Sequence, residues 1–375
     1  MILRRIREGE LGVAQSLPWP LYSQKGTLLF TEDSAIESAD ALEGLLELGL
    51  YMETSLAWHQ PPATPLQLVL HAVHRMEALI KRPEQTVESF AINVLAVVDM
   101  LRVAYQRNPD VVIATVLLQR GGSYAVRHAV STACVTAAVL DAMHTNEAHT
   151  RSVLAAALTM NIGLQDGGDL PLQDVRHPVT GMEKLRELGV ADELWLRAVL
   201  EHHELIDGSG YPYGLYGSRV AQASQLIGLA DIFCARVDEC ALRQMDDTRL
   251  VLRDVLIERG RHFDVLVGAY FIRALGVYPI GSLVLLANGE VAVVSTATEW
   301  VNAPWVHALQ APDGTTYQPP IRRQTQSIDT SIVDTLSGKA LRGAIDMAAI
   351  WGEDACDFPL QPLVLAHQQA VAVAT

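Results

Sequence analysis

The sequence is short of charged residues, of cysteines and of long apolar runs. Charged residues make up only 19% of its 375 positions while hydrophobic residues make up 50%, which supplies a large core and argues against extended disorder. No apolar run approaches the roughly 18 residues that cross a bilayer, and no apolar stretch follows the basic residues near the start, as it would in a secretion signal. We therefore expect a soluble bacterial protein of the cytoplasm without a membrane span.

Basic residues are also in deficit. Lysine and arginine number 28 against 43 aspartates and glutamates, so the formal net charge is -15. A nucleic-acid polymer is excluded as a partner, because binding its phosphates requires a basic face, although a basic pocket for one small anion stays open. The four cysteines have no C-x-x-C spacing, which predicts reduced thiols rather than disulfides or a zinc knuckle.

The apolar pattern divides the chain into four segments. Residues 1–62 mix short β-like stretches with one helical stretch and predict a small α/β module that ends at a cluster of prolines. In residues 63–278 apolar positions recur every three to four residues, which predicts a helical bundle. Residues 279–325 alternate around an Asn-Gly turn and predict a small β appendage, and residues 326–375 predict a partly helical tail. The expected fold class is mainly α.

The most informative stretch is VLEHHELIDGSGYPYGLYG, residues 199–217. His202 and His203 end a predicted helix, and neutral imidazoles are the commonest protein ligands of transition metals. Taken alone, two adjacent histidines are more typical of a capped surface helix followed by a turn. The pair therefore indicates a metal site only together with other residues.

The stretch from His202 to Leu215 resembles the motif H-H-E-x-x-D-G-x-G-Y-P-x-G-L of the HD-GYP family, a helical branch of the HD phosphohydrolases. The similarity extends upstream to Arg127-His128 and His177-Pro178, and downstream to Leu229-Ala230-Asp231. Members of this family are phosphodiesterases that open the second messenger cyclic di-GMP. The resemblance implies an HD-type helical bundle that carries a metal centre.

The resemblance also implies a set of metal ligands. Matched one at a time, they fall on His128, His177, His202, His203 and Asp231. The His-Asp doublet that names the family is missing. The chain reads Met160-Asn161-Ile162-Gly163-Leu164 where the family has His-Asp-Ile-Gly-Lys.

Three replacements in this stretch fall on the implied reaction. Asn161 offers a neutral carbonyl oxygen where a carboxylate would bridge two ions and offset their repulsion. Met160 offers a thioether, a poor ligand for iron, manganese or zinc in a site of oxygen and nitrogen donors. Leu164 removes the positive charge of a lysine that the resemblance places near the scissile phosphate. No residue is therefore assigned a catalytic role.

At most one metal ion is expected. The resemblance gathers His177, His202 and His203 on one ion and assigns His128 and Asp231 to the other. One Fe, Mn or Zn ion on the three imidazoles and a site that holds no ion are equally consistent with the sequence.

The glycine-rich part of the motif predicts a loop for a ligand or a partner. Glycine permits positive φ and proline fixes its own backbone angle, so the loop is expected to be rigid, with an exposed Tyr211 as its recognition element. The resemblance implies contact with the ligand and, in some members, with diguanylate cyclase (GGDEF) domains. The predicted loop residues are Asp207, Gly208, Gly210, Tyr211, Pro212 and Gly214.

Two residues near the implied ligands are given structural roles. Tyr124, one helical turn before His128, is expected to be a buried aromatic. Asp238 belongs to a cluster of acidic residues with Glu239, Asp246 and Asp247, which is typical of a solvated face.

An intact loop beside an altered doublet favours binding over turnover. We expect a degenerate HD-GYP protein of cyclic di-GMP signalling that acts as a ligand sensor or protein-interaction module, with phosphodiesterase activity lost or weak. An active metal-dependent phosphodiesterase and a scaffold that binds no nucleotide are the alternatives. A homodimer is compatible with the sequence.

Overall fold

A computed structural model describes residues 3–5, 17, 20–23, 27–31, 34–36, 38–53, 63–81, 83, 90–118, 121–164, 174–243, 262–336 and 345–357. The described residues among 1–62 form one compact unit, and those among 63–357 form another. Within the described ranges, no helix combines the length and the apolar character that a bilayer crossing requires.

The first unit is a small antiparallel sheet with one helix. Its strands are β1 (Leu3–Arg5), β2 (Leu21–Tyr22), β3 (Leu28–Phe30) and β4 (Tyr51–Glu53), in the order β1-β4-β2-β3, and its helix is α1 (Ala39–Leu48). The Ser38 hydroxyl caps α1 by accepting a hydrogen bond from the Ala41 amide. A core of Leu17, Leu21, Ile36 and Leu50 is buried in this unit. The expected α/β module is confirmed.

The second unit is mainly helical, which confirms the predicted bundle. Its helices α2 to α10 are Pro65–Lys81, Phe90–Arg107, Pro109–Leu118, Tyr124–Ala142, Glu147–Thr159, His177–Glu187, Glu193–Glu201, Gln222–Arg243 and Val265–Leu275. The central helix is α5, because 13 of its 19 residues are buried and it packs against α2, α3, α4, α6, α9 and α10. A polar side chain on α5 therefore lies inside the bundle rather than at its surface.

A five-stranded antiparallel sheet follows the helices in this unit, as the fold class requires. Its strands are β5 (Leu283–Leu286), β6 (Val291–Thr296), β7 (Trp305–Gln310), β8 (Thr316–Gln324) and β9 (Ile332–Leu336), in the order β8-β7-β6-β5-β9. The predicted Asn-Gly turn joins β5 to β6, with Gly289 at a φ of +82°. Strand β9 and the short helix α11 (Met347–Trp351) lie in the stretch assigned to the tail, whose last residues, 358–375, are outside the described residues.

The contribution of the core to the stability of the bundle can be tested at the aromatic pair Phe233 and Phe271. Phe271 is fully buried and its ring centroid lies 5.6 Å from that of Phe233, nearly edge to face. We expect Phe271→Ala to lower the free energy of unfolding by about 3–5 kcal/mol through the lost burial and the cavity left behind. Val265→Ala, at an 80% exposed position of the same helix, is the control and should change it by less than about 0.5 kcal/mol. Equal midpoints in urea for the two variants would contradict this account.

Candidate metal centre

Three histidines converge where two helices meet. His177 begins α7, while His202 and His203 follow the end of α8 at Glu201. Their ligand nitrogens all lie within 4.8 Å of one another. His177 and His202 are buried and His203 is half-buried. The structure thus brings together three of the five ligands that the sequence analysis implied.

Hydrogen bonds to the main chain fix which ring nitrogen of two histidines faces this cluster. Nδ1 of His177 lies 2.7 Å from the carbonyl oxygen of Asp174, and Nδ1 of His202 lies 2.6 Å from that of Val199. A carbonyl oxygen only accepts, so both Nδ1 atoms carry the proton and both Nε2 atoms are left with a lone pair. These Nε2 atoms face each other at 3.3 Å.

Two lone pairs at that distance repel unless a cation lies against them. Nε2 of His203 is also buried, and it has no hydrogen-bond partner among the described residues. A divalent transition metal fits this donor set, because a histidine ligand typically donates its other N–H to a carbonyl or carboxylate that orients the ring. The cluster can therefore hold one metal ion.

The protonation of the three histidines suits the same role. Burial lowers the pKa of His177, lowers that of His202 well below the ordinary value, and lowers that of His203 to about 4. All three are therefore neutral at physiological pH, which is the form of imidazole that binds metals.

The other two implied ligands form a separate pair. His128 on α5 and Asp231 on α9 are both buried, with Nε2 of the histidine 2.6 Å from Oδ1 of the carboxylate. Burial alone would raise the pKa of Asp231, but the hydrogen bond and the charge of His128 lower it to about 2. Burial likewise opposes a charge on His128, yet its contacts with Asp231 raise the pKa of the imidazole. The pair is thus an internal ion pair joining two helices.

The residues that replace the doublet lie in a turn beside the start of α7. Met160 is fully buried, and Oδ1 of Asn161 is buried with no hydrogen-bond partner among the described residues. The turn packs so tightly on α7 that a Cβ on Gly163 would lie 2.1 Å from the carbonyl oxygen of His177. Asn161 therefore presents a neutral, unsatisfied acceptor in a turn that contacts a residue of the histidine cluster.

A buried carboxylate shapes the glycine-rich loop. Glu204 is fully buried, and its two oxygens accept hydrogen bonds from the backbone amides of Tyr213, at 2.6 Å, and Leu215, at 2.8 Å. Gly210 packs against the same turn, since a Cβ there would lie 2.3 Å from the amide nitrogen of Leu205. Glu204 belongs to the motif, but nothing in the sequence pattern indicated this role.

The expected exposure of Tyr211 is wrong. Its ring is half-buried and stacks on His203 with centroids 4.6 Å apart and planes 27° apart, because its amide also bonds to the His203 carbonyl and draws the residue inward. The exposed tyrosines of the loop are Tyr213 and Tyr216, at 61% and 70%. Tyr211 therefore covers the histidine cluster, and its neighbours face solvent.

The remaining predicted loop residues set the backbone. Oδ1 of Asp207 accepts hydrogen bonds from the amide and the hydroxyl of Ser209, and its other oxygen lies 3.3 Å from Nε2 of His262. Gly208 and Gly214 have φ values of +80° and +61°, which favour glycine. Pro212 is half-buried beside Tyr211.

Asp238 was assigned the wrong environment. It is 6% exposed rather than solvated, because it lies two helical turns after Asp231 on the buried face of α9. Its carboxylate lies 3.6 Å from Nη2 of Arg127 and 3.9 Å from Nδ1 of His128. The i to i+7 spacing from Asp231 was the signal that could have placed it. Tyr124 stacks on His128 with centroids 5.6 Å apart.

No family model matches the chain. The chain is 27% identical over 209 residues to Cyclic di-GMP phosphodiesterase PA4108 of Pseudomonas aeruginosa, covering 52% of this chain and 50% of that protein. It is 22% identical over 200 residues to Cyclic di-GMP phosphodiesterase PdeB of Borreliella burgdorferi, covering 50% of this chain and 52% of that protein. The chain therefore spans about half the length of the curated relatives it matches.

A solved structure of Bd1817, a HDG"Y"P protein from Bdellovibrio bacteriovorus, covers 72% of this chain and 98% of its own, with a TM-score of 0.46 and 15% identity. The curated relatives bear the name of the enzyme that the motif predicted, and the motif from His202 to Leu215 is complete. The chain is therefore similar to HD-GYP proteins through this motif. It departs from the HD-GYP pattern at the doublet and at Leu164.

The anchoring of the glycine-rich loop by Glu204 can be tested by one isosteric substitution. Glu204→Gln places an amide NH2 against a backbone N–H, so a buried donor loses its acceptor, and we expect about 1–3 kcal/mol of lost stability. The amides of Tyr213 and Leu215 should exchange faster with deuterium. Glu193→Gln, at an 81% exposed side chain, is the matched control. Unchanged exchange at both amides would show that the carboxylate does not hold the loop.

The buried histidines predict an acid-sensitive apoprotein. In the unfolded chain His203 binds a proton near pH 6.5, but in the folded chain only near pH 4, so stability is lost as the pH falls through this window. Between about pH 7 and pH 5 this histidine alone should cost about 2 kcal/mol of unfolding free energy.

The measurement is urea unfolding of chelator-treated protein at both pH values. His203→Gln should show a pH-dependent loss smaller by that amount, while His71→Gln, at an exposed position of α2, should follow the wild type. If the free energy of unfolding had the same pH dependence in the wild type and both variants, His203 would not be the source of the acid sensitivity.

Proposed function

We propose that this HD-GYP chain is a protein of cyclic di-GMP signalling that binds the messenger at the histidine cluster, with phosphodiesterase turnover lost or weak. Support for the ligand comes from the curated relatives, which are named cyclic di-GMP phosphodiesterases. Support for weak turnover comes from the doublet, where Asn161 keeps a buried, unsatisfied amide oxygen in place of a carboxylate. A cytoplasmic location accompanies this proposal.

His177, His202 and His203 are the residues that would hold a divalent Fe, Mn or Zn ion. Such an ion, when bound, supplies positive charge and Lewis acidity toward a phosphate oxygen. The protein's own part is orientation: the carbonyls of Asp174 and Val199 fix two of the imidazoles, and the ring of Tyr211 covers the third.

Residues 161 and 164 carry side chains that are unsuited to the phosphodiesterase reaction. A neutral amide at residue 161 neither accepts a proton nor offsets the charge of two neighbouring ions. At residue 164 the leucine side chain gives no positive charge for the transition state. Binding of the dinucleotide therefore fits these residues better than its hydrolysis.

An interaction surface is the second candidate function. Tyr213 and Tyr216 are 61% and 70% exposed on the outer side of the same loop, and exposed tyrosines are frequent anchors of protein interfaces. A diguanylate cyclase (GGDEF) domain is the partner we propose for this surface. Loss of association after Tyr213→Ala, with messenger binding retained, would favour this role.

The leading proposal is tested by measuring binding and turnover in the same preparation. With Mn²⁺ added, we expect calorimetry to detect heat from the binding of cyclic di-GMP. Chromatography of the same mixture should detect little or no linear dinucleotide. Tyr211→Ala should weaken binding about tenfold or more, or about 1.4 kcal/mol, because the ring over His203 is lost. Tyr216→Ala, at an exposed position of the same loop, is the matched control.

The histidine cluster has its own control. His202→Ala should abolish Mn²⁺ binding, while His74→Ala, at an exposed position of α2, should leave it unchanged. Efficient hydrolysis that depends on His202 would replace the sensor proposal by an active phosphodiesterase. Absence of both heat and product, with a cyclase domain still bound, would support a scaffold instead.

A further inference from the structure

Four polar residues form a buried ionic cluster on α5 and α9. Its members are Arg127, His128, Asp231 and Asp238. His128, Asp231 and Asp238 are 2%, 4% and 6% exposed, and the Arg127 side chain is 16% exposed. Asp231 lies close enough to His177, His202 and His203 for its charge to oppose, in part, the lowering of their pKa values by burial. The ionic cluster therefore lies beside the histidine cluster, where the family resemblance calls for a second metal ion.

The contact between His128 and Asp231 uses the atoms that a second ion would need. At 2.6 Å, Nε2 of His128 donates to Oδ1 of a carboxylate that only accepts, so the proton is on Nε2. A metal ligand needs a lone pair at that same nitrogen. Two ligand atoms that bind the same ion each lie about 2.0–2.2 Å from it, and they are therefore roughly 3 Å or more from each other. The observed pair is closer than such coordination allows.

The other two members hold this pair in place. Asp238 lies 3.9 Å from Nδ1 of His128 and 3.6 Å from Nη2 of Arg127, and the Tyr124 ring stacks on the imidazole. The Arg127 guanidinium thus adds a permanent positive charge among the carboxylates. A second divalent cation would meet the repulsion of that charge in a site of low dielectric.

We infer that the ionic cluster takes the place of the second metal ion, so that the chain holds one ion and restoring the His-Asp doublet does not by itself admit another. The inference rests on the proposed assignment of one ion to the three histidines. It goes beyond the missing doublet, because it assigns Arg127 and Asp238 to closing a site that the doublet alone would leave open.

The decisive variant restores the doublet by Met160→His with Asn161→Asp. Metal content after equilibrium dialysis against Mn²⁺ should be about one ion per chain in both the wild type and this variant, with thermal unfolding as the check that each is folded. Two ions per chain in the variant would overturn the inference while leaving the proposed function intact. No ion in the wild type would overturn the one-ion assignment and this inference with it.

Nitrogen-15 NMR spectra of the histidine rings provide a second measurement. It uses the wild-type protein and therefore does not depend on whether the doublet variant folds. On addition of Zn²⁺ to the wild type, the ring signals of His177, His202 and His203 should shift, while those of His128, assigned with His128→Gln, should stay through two equivalents. Movement of the His128 signals with the second equivalent would overturn the inference. Movement of the other three alone would support it.

Discussion

The hydrogen bond between His128 and Asp231 decides what the site can be. It joins the central helix α5 to α9 inside the bundle, where both residues are buried. The family resemblance implies each residue as a metal ligand. In the structure they are hydrogen-bonded to each other, so the proposed single ion would rest on the remaining three histidines.

Those three histidines and the loop form one connected structure. Backbone carbonyls set two of the rings, Tyr211 packs on the third, and Glu204, next in sequence to His203, holds the far side of the loop through two amides. The shape of the loop and the geometry of the imidazoles are therefore coupled through residues that neither bind metal nor face solvent. A change at Glu204 therefore reaches the histidine cluster through its covalent neighbour His203.

The sequence alone was enough to predict the fold class and the convergence of the histidines. Helical spacing marked the bundle, the Asn-Gly turn marked a hairpin of the sheet, and the family motif brought together residues that are far apart in the chain. The sequence could not show that Tyr211 turns inward, because the contact of its ring with His203 depends on tertiary packing. It also could not show that Asp238 is buried, since a carboxylate in an acidic stretch is normally solvated and the opposing Arg127 lies on another helix.

The balance of charge explains why binding and turnover can separate in such a site. Three neutral imidazoles would leave the charge of a bound divalent cation largely uncompensated, so that it attracts the phosphates of a dinucleotide strongly. Hydrolysis needs more, because it requires a group that accepts a proton and charges that stabilise the transition state. Asn161 and Leu164 offer neither, and the buried carboxylate of Asp231 is hydrogen-bonded to His128. The proposed function therefore combines affinity for an anionic ligand with changes that would remove the means of cleaving it.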